Sequence, residues 1–201
     1  MTSALIRLAR SQNRTVAAFK PVISGFDKRE ITNSDTGEIL AALGEAPTKA
    51  AATRVSPWRF TPPLAPNMAA RAEGRTLDCA ALFAFSRKAL QENADVVLIE
   101  GVGGIMVPLD DETTVLDWIV AAGAPVVLVV GDYLGTISHT LTAVEVLRAT
   151  GVEIAAIVVS EGEGASVPFA ETLAEIARWT APVRVVGLRR GEGKAALAAL
   201  L

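Results

Sequence analysis

In Val96-Val-Leu-Ile-Glu-Gly-Val-Gly-Gly104, an apolar run ends in a carboxylate and continues as a glycine-rich loop. An uninterrupted apolar run of this length, bounded by a turn signal, predicts a strand that is buried on both faces of a parallel sheet. Glu100 would stand at the carboxyl end of that strand, where a carboxylate can hold Mg²⁺. The glycines behind it let backbone N–H groups approach phosphate oxygens. The stretch therefore predicts a metal and phosphate site at this edge of the sheet.

Apolar runs of strand length recur along the chain and alternate with stretches of helical periodicity. This alternation predicts an α/β fold, a doubly wound and mostly parallel sheet flanked by helices, in one domain over residues 1–201. The predicted strands are 15–22, 95–100, 124–130, 152–160 and 183–188. The predicted helices are 1–10, 35–43, 77–91, 113–122, 137–149, 168–179 and 194–201. Residues 46–66 hold five prolines and predict a long irregular segment, a kind of loop that often has a function.

Composition narrows the class of protein. The net charge is −3 and no basic run occurs, which argues against nucleic acid as a partner. One cysteine excludes an intramolecular disulfide. No apolar run reaches the ~18 residues of a membrane span, and the first residues do not form a signal peptide. We therefore expect a cytoplasmic protein that does not bind membranes.

Two further charged residues are candidates for the same site. Lys20 ends a predicted strand, and ligands of parallel sheets bind outside the carboxyl ends of the strands. Its ammonium group either enters that cleft or is solvated at the strand end. Asp35 precedes a helical stretch, so it either caps that helix or joins Glu100 in a Mg²⁺ site.

A third loop, residues 131–135, lies between a predicted strand and a predicted helix. Ser138 is a candidate cap for that helix. His139 is the only histidine, and we interpret it as structural or interfacial and not as catalytic. Neither paired cysteines nor a His-rich motif occurs, so zinc is not expected.

With these pieces in order, the chain resembles the ATP-dependent dethiobiotin synthetase family. The resemblance covers residues 2 to 188, and its most specific parts are Lys20-Pro-Val-Ile-Ser-Gly25 and Glu100-Gly-Val-Gly-Gly-Ile-Met-Val-Pro-Leu109. The other matching segments are 33–35, 60–70, 117–118, 125–131, 134–142 and Gly151. The resemblance implies a P-loop NTPase-like fold and a homodimer.

The resemblance also implies a reaction of biotin biosynthesis. A carbamate forms from CO₂ and one amine of 7,8-diaminononanoate, ATP with Mg²⁺ phosphorylates it, and the second amine then closes the ureido ring.

Residue roles follow by match to the family pattern. Lys20 would be catalytic, stabilising the carbamate and the transferring phosphoryl group, and Ser24 would contact the substrate. The segment that ends at Ala65-Pro-Asn67 would help to form the substrate site. Asp35 and Glu100 would hold the Mg²⁺. The implied ATP-binding residues are Asp35, Glu100, Gly101, Val102 and Gly103.

The chain departs from the family pattern in several places, which include Asn67 where the family usually has His, Ser138-His139 where it has Asn-His, and Gly187-Leu-Arg-Arg190, which lacks a family proline. The 201 residues contain no phosphate-binding Gly-rich loop with Gly-Lys-Thr or Gly-Lys-Ser, and the first predicted element is a helix instead of a strand. We therefore expect the reading frame to begin upstream of Met1, and the 201 residues alone to bind ATP weakly or not at all and to have little activity. At the base site, Ser160-Glu161 stands where the family has an Asn-Asp pair that contacts adenine.

Two alternatives stay open at this stage. One is a degenerate, non-catalytic P-loop-family protein that keeps only dimerisation or weak ligand binding. The other is a different P-loop enzyme, such as a cobyrinate-type amide synthase or a partition ATPase. The Lys20–Gly25 segment argues against the partition ATPase.

Overall fold

The computed structural model describes residues 1–164, 167–190 and 194–201, with the backbone alone for residues 194 and 195. The chain divides into two compact units, Thr2–Ala122 and Gly123–Leu201. The single domain over residues 1–201 stays a prediction.

The first unit alternates helices and short strands. Its helices are α1 (Thr2–Ser11), α2 (Asp35–Leu43), α3 (Lys49–Val55), α4 (Pro66–Ala72), α5 (Cys79–Ala89) and α6 (Val115–Ala122). Its strands are β1 (Val16–Phe19), β2 (Val22–Ile23), β3 (Trp58–Arg59) and β4 (Val96–Ile99). Strand β1 pairs with β4, and β2 pairs with β3, both in parallel. Two apolar clusters fill this unit, one around Ile6, Ile39 and Leu40 and the other around Phe60, Leu82 and Trp118.

The prediction of one strand over residues 15–22 is wrong. Strand β1 ends at Phe19, and β2 begins at Val22 on a different partner strand. Pro21 has no N–H to donate to a neighbouring strand, and the N–H of Lys20 donates to the carbonyl of Val55. The chain therefore changes partners at residues 20 and 21, which frees Lys20 from the sheet.

The prediction of an irregular segment over residues 46–66 is also wrong. The segment contains α3 and β3, and α4 starts at Pro66. The hydroxyl of Thr48 caps α3 by accepting a hydrogen bond from the N–H of Ala51. Pro66 stands in the first turn of α4, where a missing N–H costs nothing. The prolines of this segment mark the boundaries of helices and strands and do not prevent them from forming.

The second unit is a three-stranded parallel sheet with helices. Its elements are β5 (Val126–Gly131), α7 (Thr136–Ala149), β6 (Ile154–Ser160), α8 (Phe169–Thr180), β7 (Val185–Leu188) and a 3-10 segment, Lys194–Leu200. The strand order is β5-β6-β7. Strand β6 is therefore the central strand of this sheet, and most of its residues are buried. The predicted helix over residues 194–201 is therefore corrected to a 3-10 segment.

The α/β fold class is confirmed, since every strand pair in the described residues is parallel and helices flank the sheets. In that described part, β4 pairs with β1 alone and β5 with β6 alone, so each has one open edge. Every helix described is too short or too polar to cross a bilayer.

Candidate active site

Lys20 and Glu100 lie side by side at the carboxyl ends of paired strands. The register of β1 and β4 places Phe19 opposite Ile99, and the N–H of Glu100 donates to the carbonyl of Phe19 at 2.8 Å. The residues that follow each strand, Lys20 and Glu100, are therefore neighbours. This is the edge at which parallel sheets bind ligands.

The ammonium group of Lys20 is the centre of a charged cluster. Its Nζ lies 2.8 Å from Oε1 of Glu100, 3.0 Å from the carbonyl oxygen of Gly101 and 3.2 Å from Oδ2 of Asp35. Lys20 is only 5% exposed, whereas the Asp35 side chain is 60% exposed and that of Glu100 32%. A buried ammonium is thus compensated by two carboxylates that are partly exposed to solvent.

Asp35 reaches Lys20 because its neighbour caps the helix. The hydroxyl of Ser34 accepts the N–H of Gly37 and is the N-cap of α2, which leaves the carboxylate of Asp35 in the first turn free to reach Lys20. Gly37 permits the close approach of this turn to the chain before it. A Cβ there would lie 2.3 Å from the carbonyl oxygen of Ile31.

The glycine-rich loop after β4 has one residue that requires glycine. Gly103 has φ +65°, and a Cβ on it would lie 2.8 Å from Cγ2 of Val107. The side chain of Val102 packs against the apolar cluster around Phe60, Leu82 and Trp118. Gly104 has open space around its Cα, with nothing within 4 Å of a built Cβ.

Ser24 lies in the turn after β2. Backbone hydrogen bonds from Gly25 to Pro62 and from Phe26 to Phe60 fix that turn. The hydroxyl oxygen of Ser24 is buried and has no hydrogen-bond partner among the described residues. The structure brings Lys20 into contact with Asp35 and Glu100, but it does not join Ser24 to them by a hydrogen bond.

The donor set suits Mg²⁺. Asp35 and Glu100 both contact one cation already, the Lys20 ammonium. The distance between their two contacting oxygens therefore cannot exceed the sum of the two ion-pair distances, so the carboxylates lie close together. Mg²⁺ commonly takes one or two carboxylates and completes its shell with phosphate oxygens and water. The described residues include no group of three or more His, Cys, Asp or Glu side chains that could hold a metal ion. The two carboxylates therefore fit an ion that takes its other ligands from a phosphate, as in phosphoryl transfer.

The buried thiol of Cys79 is hydrogen-bonded to Asp110, which follows the glycine-rich loop in the chain. Burial raises the pKa of the Cys79 thiol to about 12, and the hydrogen bond and negative charge of Asp110 add to that effect. Burial alone would raise the pKa of Asp110, but hydrogen bonds from Glu112, Cys79 and Thr113 outweigh it and hold that pKa below its ordinary value. Cys79 is therefore a neutral, buried thiol and not a nucleophile.

The second unit contains a residue that sequence reasoning missed. Asp132 follows β5, is 2% exposed, and accepts the N–H of Gly162 on Oδ1, while its Oδ2 has no partner in the described part of the chain. Its signal in the sequence was the same as that of Glu100, an acid directly after an apolar strand. At the predicted base site, Glu161 accepts the N–H of Arg190 at 2.9 Å.

The start of α7 corrects one prediction. Gly135 is the N-cap, and no side chain caps the helix, so Ser138 is not its cap. The hydroxyl of Thr136 donates instead to the carbonyl of Gly131. The ring of His139 is hydrogen-bonded through Nδ1 to the hydroxyl of Tyr133 at 3.0 Å.

Comparison with known proteins identifies the family. The model of a family described as an AAA domain matches residues 1–188. A protein of Methylobacterium nodulans is 46% identical over 198 residues, which are 96% of this chain and 88% of that protein. Relatives from Phenylobacterium zucineum and Caulobacter vibrioides are 49% and 53% identical and cover 84% and 79% of this chain, and 73% and 71% of their own length. All three are named ATP-dependent dethiobiotin synthetase BioD. The chain therefore belongs to the ATP-dependent dethiobiotin synthetase family.

Proposed function

We propose that this protein is an ATP-dependent dethiobiotin synthetase, a ligase that closes the ureido ring of dethiobiotin in biotin biosynthesis. Its substrates are 7,8-diaminononanoate, CO₂ and ATP. One amine of diaminononanoate adds to CO₂, and a carbamate oxygen attacks the γ-phosphoryl group, which releases ADP. The second amine then attacks the carbonyl carbon and expels phosphate. Membership of the family and the contacts of Lys20 with Asp35 and Glu100 support the proposal.

Lys20 would act on both negatively charged reactants. Its ammonium group lies at the carboxyl edge of β1 and β4, and burial excludes most of the water that would screen its charge. A positive charge fixed at this point stabilises a carbamate and the charge that develops on a transferring phosphoryl group. The ion pair with Glu100 holds the group in place before substrate arrives.

Asp35 and Glu100 would hold Mg²⁺, which when bound neutralises charge on the ATP phosphates. Both carboxylates are partly exposed to solvent, which leaves them accessible to an ion that arrives with the nucleotide. Backbone groups of Gly101, Val102 and Gly103 would lie against the nucleotide. The left-handed backbone of Gly103 turns the loop where such an approach is needed.

Ser24 would contact diaminononanoate. Its buried hydroxyl has no hydrogen-bond partner in the described residues. A hydroxyl without a partner is costly unless a ligand or water completes it. An amine of the substrate would accept or donate the missing hydrogen bond.

The test is formation of dethiobiotin by the protein purified from its native cells. Mass spectrometry should detect dethiobiotin and ADP in equal amounts when diaminononanoate, bicarbonate and Mg-ATP are supplied together, and neither without diaminononanoate. A Glu100→Gln variant expressed from the same gene should lose this activity. A folded protein that forms no dethiobiotin would favour the non-catalytic alternative.

We further propose a cytoplasmic homodimer, as the family resemblance implies. Two large apolar side chains before α7, Tyr133 and Leu134, are exposed, and Leu141 and Val146 on α7 are only half-buried. Burial of such a surface would favour association. Light scattering should give twice the mass of one chain, and a monomer at micromolar concentration would contradict this proposal.

A further inference from the structure

We propose that Lys20 competes with the divalent cation for the carboxylates of Asp35 and Glu100, so that binding of the metal releases the ammonium group toward the reacting groups. The inference rests on the proposed function of this site. It goes further, because it makes Lys20 an internal cation that occupies the metal ligands until the metal arrives.

The hydrogen bonds of Lys20 are the first argument. An ammonium group has three donors, and Nζ donates two hydrogen bonds, to Glu100 Oε1 and to the carbonyl oxygen of Gly101, while Asp35 Oδ2 lies at ion-pair distance, 3.2 Å. The carboxylates therefore hold the charge of Lys20 on both sides. Lys20 must weaken at least one of these ion pairs before its charge can act fully on a carbamate or a phosphoryl oxygen.

The charges provide the second argument. A divalent cation held by the same two carboxylates would stand within a few ångströms of Nζ, where like charges repel strongly in a partly buried site. The cation also neutralises the carboxylates that hold the ammonium group in place. Both effects weaken the ion pairs of Lys20.

The distances and exposure indicate which contact is lost first. The contact with Asp35 is longer, 3.2 Å against 2.8 Å for Glu100, and the Asp35 side chain is more exposed. The contacts with Glu100 and with the carbonyl of Gly101 lie deeper. Lys20 therefore turns away from Asp35 first, and one donor becomes free while the others still anchor the group.

The test is the affinity for Mn²⁺ alone, measured from the electron paramagnetic resonance signal of the free ion. A Lys20→Met variant removes the competing charge and keeps the volume, so it should bind Mn²⁺ on the order of tenfold more tightly than the wild type. Lys28→Met, at an exposed lysine, is the matched control and should bind as the wild type does. A lysine with a purely structural role would give the opposite sign, because its loss would loosen the site.

A Glu100→Gln variant separates the failure of this inference from failure of the proposed site. If Glu100→Gln loses Mn²⁺ binding but Lys20→Met binds no more tightly than wild type, the competition is wrong and the metal site stands. If Glu100→Gln binds Mn²⁺ as the wild type does, the metal site is wrong and the inference falls with it.

A second measurement is made on the wild type and uses a variant only to assign the signal. Heteronuclear NMR of the wild type labelled with ¹⁵N-lysine follows the ammonium signal of Lys20, assigned by its loss in Lys20→Arg. Addition of Mg²⁺ should shift this signal and speed its exchange with water. An ammonium signal unchanged at saturating Mg²⁺ would overturn the proposal.

Discussion

The Nζ atom of Lys20 lies 2.8 Å from Oε1 of Glu100, although the two residues are 80 positions apart in the chain. The parallel pairing of β1 with β4 produces this contact, because each residue directly follows its strand and the register places the strand ends opposite each other. The ion pair is thus a product of the sheet and not of local sequence. It joins the residue we assign to charge stabilisation to one we assign to metal binding.

Gly103→Ala should destabilise the glycine-rich loop. Its φ of +65° disfavours any side chain, and the new Cβ would meet Val107. We expect a loss of about 1–2 kcal/mol in the free energy of unfolding by urea. Gly104→Ala is the matched control, since nothing lies within 4 Å of its Cβ, and it should change stability by less than about 0.5 kcal/mol. Equal effects of the two substitutions would contradict this description of the loop.

Ser86→Ala should destabilise the first unit through Trp118. The indole N–H of Trp118 donates to the hydroxyl of Ser86 at 2.8 Å, and both residues are buried. Removal of the hydroxyl leaves the indole N–H without a partner, which costs about 1–3 kcal/mol. Urea unfolding followed by tryptophan fluorescence measures the loss. Ser11→Ala, at an exposed hydroxyl, should have little effect, and the prediction fails if Ser86→Ala is as mild.

Much of this architecture could be predicted from the sequence, but the pairing of strands could not. The apolar run before Glu100 and the strand before Lys20 are local signals, and so is the helix that begins at Asp35. The break at Pro21 was visible as a proline, yet its consequence depends on β3, which lies within a segment predicted to be irregular. To predict the contact of Asp35 with Lys20, one must know that Ser34, and not Asp35, caps α2. The sequence does not show this, because both residues are favoured at the N-cap position.

Asp95→Asn should remove part of the acid sensitivity of folding. The backbone N–H and the hydroxyl of Thr15 donate to the carboxylate and hold the pKa of Asp95 below its ordinary value. Because the pKa is lower in the folded state, Asp95 stabilises the fold above its unfolded pKa, and this contribution disappears as the pH falls through the folded pKa. The variant should be less stable than the wild type at pH 7, and the difference should begin to shrink near the unfolded pKa of about 4 and disappear below the folded pKa. A constant difference across that range would show that charge is not the cause.

Cys79 should be unreactive in the folded protein. Its thiol pKa is raised to about 12 by burial and by Asp110, so almost no thiolate is present at pH 8. A disulfide reagent such as dithionitrobenzoate should leave the native protein unmodified. In urea the same sample should titrate one thiol per chain, which is the control. Rapid labelling of the native protein would mean that the thiol is accessible and ionised.

The most direct test is the rate of dethiobiotin formation by Lys20→Met, made from the native gene and compared with Lys28→Met and the wild type. Loss of one fixed charge at the reacting groups should lower kcat at least about 100-fold. Lys28→Met should keep the wild-type rate, and circular dichroism should show both variants folded. A folded Lys20→Met protein with near wild-type turnover would remove Lys20 from the mechanism and contradict the assignment of this cluster as the active site.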